Sequence, residues 1–380
     1  MLYQISTLSS LNCRIFTKYH VFMRPWYRYT SQRVRIKAKG RQDASYTRFN
    51  AFYNKLFGHE WPKLSSALMQ SKQNCAVLNK FTDTQKSIDN FNLLGHRELD
   101  LGTISWADKG NGADSIKLSL PSLDGKYHKG FLSSFLLSNP RVFPEPPVMP
   151  NGLLGYYLLD AASLLPVICL DVGPDSTVLD MCASPGGKTV AMMQLLSERG
   201  GLVANEPTQS RRRKLRKVIQ EYIPEGQTNI TIRGMDGTKF GGLEPCSYDR
   251  ILVDAPCSTD RHCLRSGFQT DSWSEKKSQK FSQLQNKLVM SALGSLTSDG
   301  RVVYSTCTMS PYENDGVIQG VLENFRHGGK SINIERISEE QIAAWGEMFD
   351  IRRTEHGFIV LPSVEKNWGP LYTSSLVLKS

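Results

Sequence analysis

Two cysteines close short apolar runs far apart in the chain: Cys257 in "LVDAPCSTD" and Cys307 in "YSTCTMSP". A strand-end thiol is commonly a packing residue, but as a thiolate it is a strong nucleophile. The neighbours discriminate between the two. Past Cys307, Ser310, Pro311 and Glu313 read as an N-cap, a first-turn proline and the end of a Ser-x-x-Glu capping box. That pattern predicts a helix from Ser310 with its positive end near the thiol, an arrangement that lowers thiol pKa values. Cys257 instead follows Asp254, whose carboxylate disfavours a thiolate, with Arg261 and His262 as a partial offset. Cys307 is therefore the expected nucleophile and Cys257 its assistant.

The elements that must position these thiols are legible in the alternation of apolar runs. Beyond residue 150, "TVLDMCA", "GLVANE", "NITIRGMD", "YDRILVDAPC" and "GRVVYSTC" read as strands, and helical segments such as "SRRRKLRKVIQEYI" stand between them. "GYYLLDAASLLPVICL" reads as a helix ahead of the first of these strands, and "GFIVLPS" and "LYTSSLVLK" as final strands able to pair antiparallel. The expected fold is α/β: a doubly wound, mostly parallel sheet of seven strands. In such sheets ligands bind beyond the carboxyl ends of the strands, where strand order reverses. Cys182 to Lys188, Glu206, Asp236, Asp254, Cys257 and Cys307 all stand at such ends.

"DMCASPGGKT" ends like a phosphate loop but lacks the first glycine of GxxxxGK[ST], which argues against a nucleotide triphosphatase. It does not match GxGxxG either, which argues against a dinucleotide dehydrogenase. What remains is a glycine turn after one strand and an acid, Glu206, ending the next. A carboxylate there accepts hydrogen bonds from a ribose diol, and no pyrophosphate needs accommodation. An adenosyl cofactor without phosphates fits, and S-adenosylmethionine is one. Asp236, in "GMDGT", is placed to contact the adenine edge, although strand-end acids also cap turns.

The chain has 380 residues, room for two domains, and a net charge of +10. The charge is concentrated: Arg14, Lys18, Arg24, Arg28, Arg33, Arg35, Lys37, Lys39 and Arg41 all precede the first acid, Asp43. An Arg-rich, hydroxyl-rich, acid-free start is the composition of a mitochondrial presequence, assigned to residues 1–42. Residues 43–150 read as a small, mainly helical region that contacts RNA. It ends in the proline cluster "NPRVFPEPPVMPNG", and residues 151–380 form the catalytic domain. The eight cysteines, at 13, 75, 169, 182, 246, 257, 263 and 307, show neither a CxxC pair nor a Cys/His zinc spacing, so no structural metal is expected.

Together "LDMCASPGGKT", "NEPTQSR", "MDGTKF", "VDAPCSTDRH" and "YSTCTMSPYEN" resemble, in order, the motifs of the Sun/Nop family of RNA 5-methylcytosine methyltransferases. The resemblance covers roughly residues 150–380. "FGHEWPKLSSALMQSKQNCAVLNKF", the Asp-Arg-His after Cys257 and the closing "NWGPLY" resemble the mitochondrial branch that modifies small-subunit ribosomal RNA. A sister branch acts on transfer RNA. The resemblance implies S-adenosylmethionine as cofactor, bound by Cys182, Ala183, Ser184, Pro185, Gly186, Gly187, Lys188, Glu206, Arg211, Asp236, Gly237 and Asp254. Ser184 stands where alanine is usual, and Glu206 where aspartate is common. It also implies Cys307 as nucleophile, Cys257 in product release, Asp254 on the cytosine edge, a mitochondrial matrix location and a helical-repeat partner of the mitochondrial termination-factor type.

The chemistry agrees with the residues. Carbon 5 of cytosine is a poor nucleophile until a thiolate adds to carbon 6, and the base must be unstacked for that attack. "RRRKLRK" (211–217), with Lys276, Lys277 and Lys280, is a candidate phosphate-binding surface, or otherwise a solvated helix face. Competing readings are a ribosome-assembly factor that binds RNA without needing catalysis, and a DNA cytosine methyltransferase, disfavoured by Ser-Thr-Cys-Thr. A fluorescent reporter carrying residues 1–45 is expected to enter mitochondria; a reporter that stays in the cytosol refutes the presequence.

Overall fold

The computed structural model describes residues 28–93, 96–99, 101, 134–136, 143–268, 273–325 and 331–379. The expected presequence lies outside the described residues from 1 to 27, and the helix Arg28–Phe57 crosses its expected end. After the helix Trp61–Met69 comes a small antiparallel sheet that the sequence reading did not anticipate. Its strands β1 (Cys75–Leu78), β2 (Arg97–Leu99), β3 (Ser134–Leu136) and β4 (Tyr156–Leu159) lie in the order β2-β3-β1-β4. Two segments expected as helix are therefore strands. "CAVL" is buried at every position, so it carries no alternation to tell strand from helix. "GYYLLDAASLLPVICL" breaks at Asp160, whose carboxylate accepts from Ala162 N at 3.0 Å and caps a 3₁₀ turn. Only Leu165–Leu170 becomes α-helix, with a proline in its first turn.

The main sheet has nine strands rather than seven. Its body is five parallel strands: β5 (Thr177–Asp180), β6 (Gly201–Asn205), β7 (Ile230–Arg233), β8 (Tyr248–Asp254) and β9 (Leu296–Thr306), in the order β7-β6-β5-β8-β9. Strand order reverses between β5 and β8, which makes the gap past their carboxyl ends the switch point. The tail adds β10 (Ser331–Glu335), β11 (Asp350–Arg353), β12 (Phe358–Leu361) and β13 (Leu371–Lys379), all antiparallel, with β13 against β9. The two extra strands come from this tail.

Because side chains alternate across a strand, the sheet splits its apolar residues between two cores. Val178, Leu252 and Val303 face one, with Leu215, Ile219 and Tyr222 of the helix Gln209–Tyr222. Leu179, Ile251, Val253, Val302 and Tyr304 face the other, with Leu288, Val289, Ala292 and Leu293 of the helix Glu275–Ser295. Helices on both faces satisfy the doubly wound expectation. The N-terminal helix joins the second core: Phe49 is fully buried, its ring centroid 5.4 Å from that of Trp273 and 5.5 Å from that of Phe268.

Strand β5 ends in a carboxyl, Asp180, that is only 1 % exposed. Its Oδ2 accepts from Thr189 Oγ1 at 2.7 Å, and burial, with Asp254 adding, raises its pKa to about 7 despite Lys188 nearby. The folded state thus keeps a proton that the unfolded chain releases near 3.8, so stability falls as pH rises from about 4 to about 7. Asp180→Asn is expected to flatten that part of the stability curve relative to wild type; parallel curves would refute the burial argument. Phe49→Ala should cost about 3–5 kcal/mol in urea unfolding of the whole chain. An unchanged midpoint would mean that the N-terminal helix is not part of the cooperative unit.

Candidate functional site

Strands β8 and β9 are parallel neighbours, with Asp254 opposite Ser305. Their carboxyl ends therefore emerge side by side, and the two loops deliver Cys257 and Cys307 to the same place. The sulfurs are 3.3 Å apart, close enough to share a hydrogen bond. They differ in setting: Cys257 is buried and Cys307 exposed. The hydrogen bond to Cys307 pushes the Cys257 thiol well above its ordinary value, and burial adds to this. The neighbour that keeps Cys257 protonated is Cys307, rather than Asp254 as its position in the sequence implied.

The capping box is not formed. Pro311–Glu313 is a single 3₁₀ turn, and the α-helix begins only at Asp315, after Asn314 leaves helical geometry. The Ser310 hydroxyl lies 2.6 Å from that of Ser278 and caps nothing. Glu313 turns inward instead and accepts from Ser258 N at 3.0 Å, Ser278 Oγ at 2.6 Å and Gln285 Nε2 at 3.0 Å. Ser-x-x-Glu spacing allows a cap, but a glutamate serves the strongest unpaired donors within reach. Here those belong to the loop that carries Cys257, fifty-five residues away in sequence, and to the helix Glu275–Ser295.

A second buried carboxylate completes the clamp. Asp260 accepts from Tyr53 OH at 2.7 Å, Thr308 Oγ1 at 2.8 Å and Met309 N at 2.6 Å, and Ser258 Oγ approaches its other oxygen at 3.3 Å. Burial raises the pKa of both acids, partly offset by the donors aimed at them. Asp260 and Glu313 between them bind the loop after β8 to the loop after β9, and Tyr53 adds the N-terminal helix.

The cation beside Cys307 is likewise not a helix end. Lys188 donates to Asp254 Oδ2 at 2.7 Å. Burial works against its charge, but Asp254 outweighs it, and the nearby Cys307 adds to the upward shift. Its ammonium thus attracts negative charge on that sulfur.

The remaining residues singled out in the sequence gather at the ends of β5, β6 and β7. Gly186 has φ +122°, and a Cβ there would stand 2.9 Å from Val218; one on Gly187 would stand 2.7 Å from the Tyr157 ring. The glycines let the turn press against the helix Gln209–Tyr222 and against β4. Glu206, buried, accepts from Thr208 N and Arg211 Nε, each at 2.8 Å. Arg211 also donates to Ser184 O at 2.9 Å, and Ser184 Oγ returns a bond to Arg211 O at 3.1 Å. The serine that departs from the family pattern thereby ties the turn to the helix. Cys182 and Ala183 stand between β5 and Asn205, with Ala183 N donating to Asn205 O at 2.9 Å; Pro185 follows a cis peptide bond. Asp236 uses one oxygen for Thr238 N and Oγ1, at 3.0 and 2.8 Å, and caps the next turn. Its donors lower its pKa, the Thr238 hydroxyl foremost.

Asn205 escaped the sequence reading, as did Asp180 and Tyr53. Asn205 spans three strand ends, donating to Met181 O at 3.1 Å and Met235 O at 3.0 Å and accepting from Met235 N at 2.8 Å. Its place immediately before Glu206 was the available signal. In "RRRKLRK", Leu215 is buried, Arg212 donates to Glu206 O at 2.7 Å, and Arg213, Lys214 and Arg216 are exposed. Lys276 and Lys280 lie exposed on the helix Glu275–Ser295, which stands between β8 and β9 in the chain.

The donor set fits a phosphate-free cofactor. Lys188 and Arg211, the cations at this end, are each paired with a carboxylate, whereas Asp236 keeps one oxygen without a partner among the described residues. Residues 167–375 match the family model described as 16S rRNA methyltransferase RsmB/F. The chain is 33% identical to mouse "5-cytosine rRNA methyltransferase NSUN4", covering 86% of this chain and 87% of that protein. It is 31% identical to zebrafish "tRNA (cytosine(34)-C(5))-methyltransferase, mitochondrial", covering 86% and 85%. A crystallised methyltransferase homologue from Pyrococcus horikoshii shares the fold, with a TM-score of 0.58, 24% identity and coverage of 86% and 93%. With the motifs in family order and the glycine turn, paired carboxylates and twin thiols at the switch point, the chain belongs to the RsmB/F (Sun) family of methyltransferases, enzymes that use S-adenosylmethionine.

Proposed function

We propose that the protein methylates carbon 5 of a cytidine in mitochondrial small-subunit ribosomal RNA, through a covalent adduct on Cys307. The observation that carries this reading is the 3.3 Å approach of an exposed and a buried thiol at the ends of adjacent parallel strands. Cys307 Sγ adds to carbon 6, forming a sulfur–carbon bond and moving ring electrons to carbon 5. S-adenosylmethionine, which the turn 182–188 with Glu206, Arg211, Asp236 and Gly237 would hold, would supply its sulfonium methyl group to that carbon and leave as the neutral thioether S-adenosylhomocysteine. Loss of the carbon 5 proton then returns the electrons to the ring, breaks the sulfur–carbon bond and releases Cys307 as a thiolate.

Each neighbouring group has a task in this scheme. Lys188, held charged by Asp254, stabilises the thiolate before attack and after release. Asp254 is partly exposed, which leaves it able to accept from the cytosine amino group. Cys257, kept neutral, offers its S–H as a hydrogen bond to the departing sulfur, which leaves as the thiolate. Cys307→Ala is expected to abolish methyl transfer, whereas Cys257→Ala should accumulate a covalent protein–RNA adduct stable to denaturing electrophoresis; the reverse pattern would sink the assignment.

The mitochondrial setting rests on the basic, acid-free start of the chain and on similarity to proteins named for that compartment. With that start set aside the rest of the chain is almost neutral, which favours a helical-repeat partner for RNA recognition. Bisulfite sequencing of mitochondrial RNA with and without the protein tests the substrate: a methyl mark lost from small-subunit ribosomal RNA supports the reading, and one lost only from transfer RNA replaces it. Rescue of ribosome assembly by Cys307→Ala would instead make catalysis dispensable.

A further inference from the structure

A cavity of about 560 Å³ opens beside Cys307 and contains none of the residues that ring the cofactor end. It is within the usual size of a ligand site, about 300–1,000 Å³. One wall carries His262 and Arg265, which stand three apart on the short helix Asp260–Arg265 and share its face. Lys72, from the segment between the helix Trp61–Met69 and β1, lines the cavity as well. All three are exposed, and none has an ion-pair partner among the described residues.

The other charged groups of the cavity are occupied. Arg261 donates to Gly369 O at 2.8 Å, Asn367 Oδ1 at 2.7 Å, and Ala67 O and Gln70 O at 3.4 Å each, so it staples the N-terminal wall to the loop before β13. Asp160 is buried, and its two oxygens accept from Ala162 N and Gly369 N, each at 3.0 Å. The acid is therefore part of the wall, and the unspent charge in the cavity is positive.

Resting on the RNA reading above, we propose that this cavity receives the sugar–phosphate of the target nucleotide, with Lys72, His262 and Arg265 taking the flanking phosphodiesters. Cys307 lines the same opening, so a ring that brings carbon 6 to its sulfur from this side carries its backbone past those cations. Cations from two separate segments of the chain around a path to one sulfur suit a polyanionic strand. The contacts are to backbone, so they position the strand and do not read its sequence. The N-terminal segment then becomes half of the substrate site.

The test is equilibrium binding of a short, labelled, single-stranded oligoribonucleotide containing cytidine to the full chain, across a potassium chloride titration. Lys72→Ala and Arg265→Ala should each reduce the salt slope by about 0.7, and together by about 1.4. Binding of S-adenosylmethionine should remain unchanged in these variants, and Lys72→Arg should restore the wild-type slope. The proposal falls if the double variant keeps the wild-type slope, if Lys72→Arg fails to restore it, or if the wild-type chain does not bind the RNA. Slope losses in the variants together with a wild-type protein that transfers no methyl group overturn the catalytic reading and leave this one standing. One that methylates RNA with an unchanged slope in the double variant does the opposite.

Discussion

The twin-thiol geometry depends on two buried carboxylates. Asp260 and Glu313 lie under the loops that follow β8 and β9, and each collects three or more donors from elements distant in sequence. Burying an acid is unfavourable unless its oxygens are well supplied with donors. The pair therefore demands that Tyr53, Ser258, Ser278, Gln285, Thr308 and the backbone of Met309 converge on one spot. Losing any one of them leaves a buried acceptor poorly served, which makes the arrangement specific as well as costly. The 3.3 Å contact between Cys257 and Cys307 lies between the two loops that this clamp joins.

Polarity within the site follows from the same packing. Buried against Cys307, Cys257 is held neutral, while Cys307 stays open to the cavity with an ammonium nearby. Lys188 reaches that place because the glycine turn after β5 starts a helix whose second residue is the lysine. Its partner Asp254 ends β8, across the switch point. One ion pair thus bridges the cofactor side and the thiol side of the same crevice, at the point where the order of the parallel strands reverses.

The N-terminal region is fused into this machinery and is more than a leader to it. Phe49 and Tyr53 fill the second core, and Tyr53 OH also reaches Asp260. Arg261, next in the chain to Asp260, grips the carbonyls at the end of the helix Trp61–Met69. A single turn of helix therefore receives the N-terminal region through two adjacent residues. The small antiparallel sheet extends the same contact, since its strand β4 packs Tyr157 on Gly187 of the cofactor turn.

The sequence by itself determined the alternating α/β fold, the five parallel strands, the phosphate-free character of the first turn and both thiols, because strand periodicity and glycine placement are local properties. It also identified Glu206 and Asp254 as strand-end groups. Tertiary structure alone decided what surrounds them. Ser310 and Glu313 have the spacing of a capping box, but their side chains answer to Ser278 and Ser258, which no local rule brings near. Cys75–Leu78 is buried on every side, so its periodicity is silent and its pairing with β3 and β4 settles it as a strand. Cys307 is the exposed thiol of the two, and the helix start that the local pattern implied beside it is not formed. Its positive neighbour is Lys188, brought across the sheet by strand order, because charge acts through space and a sequence records only neighbours along the chain.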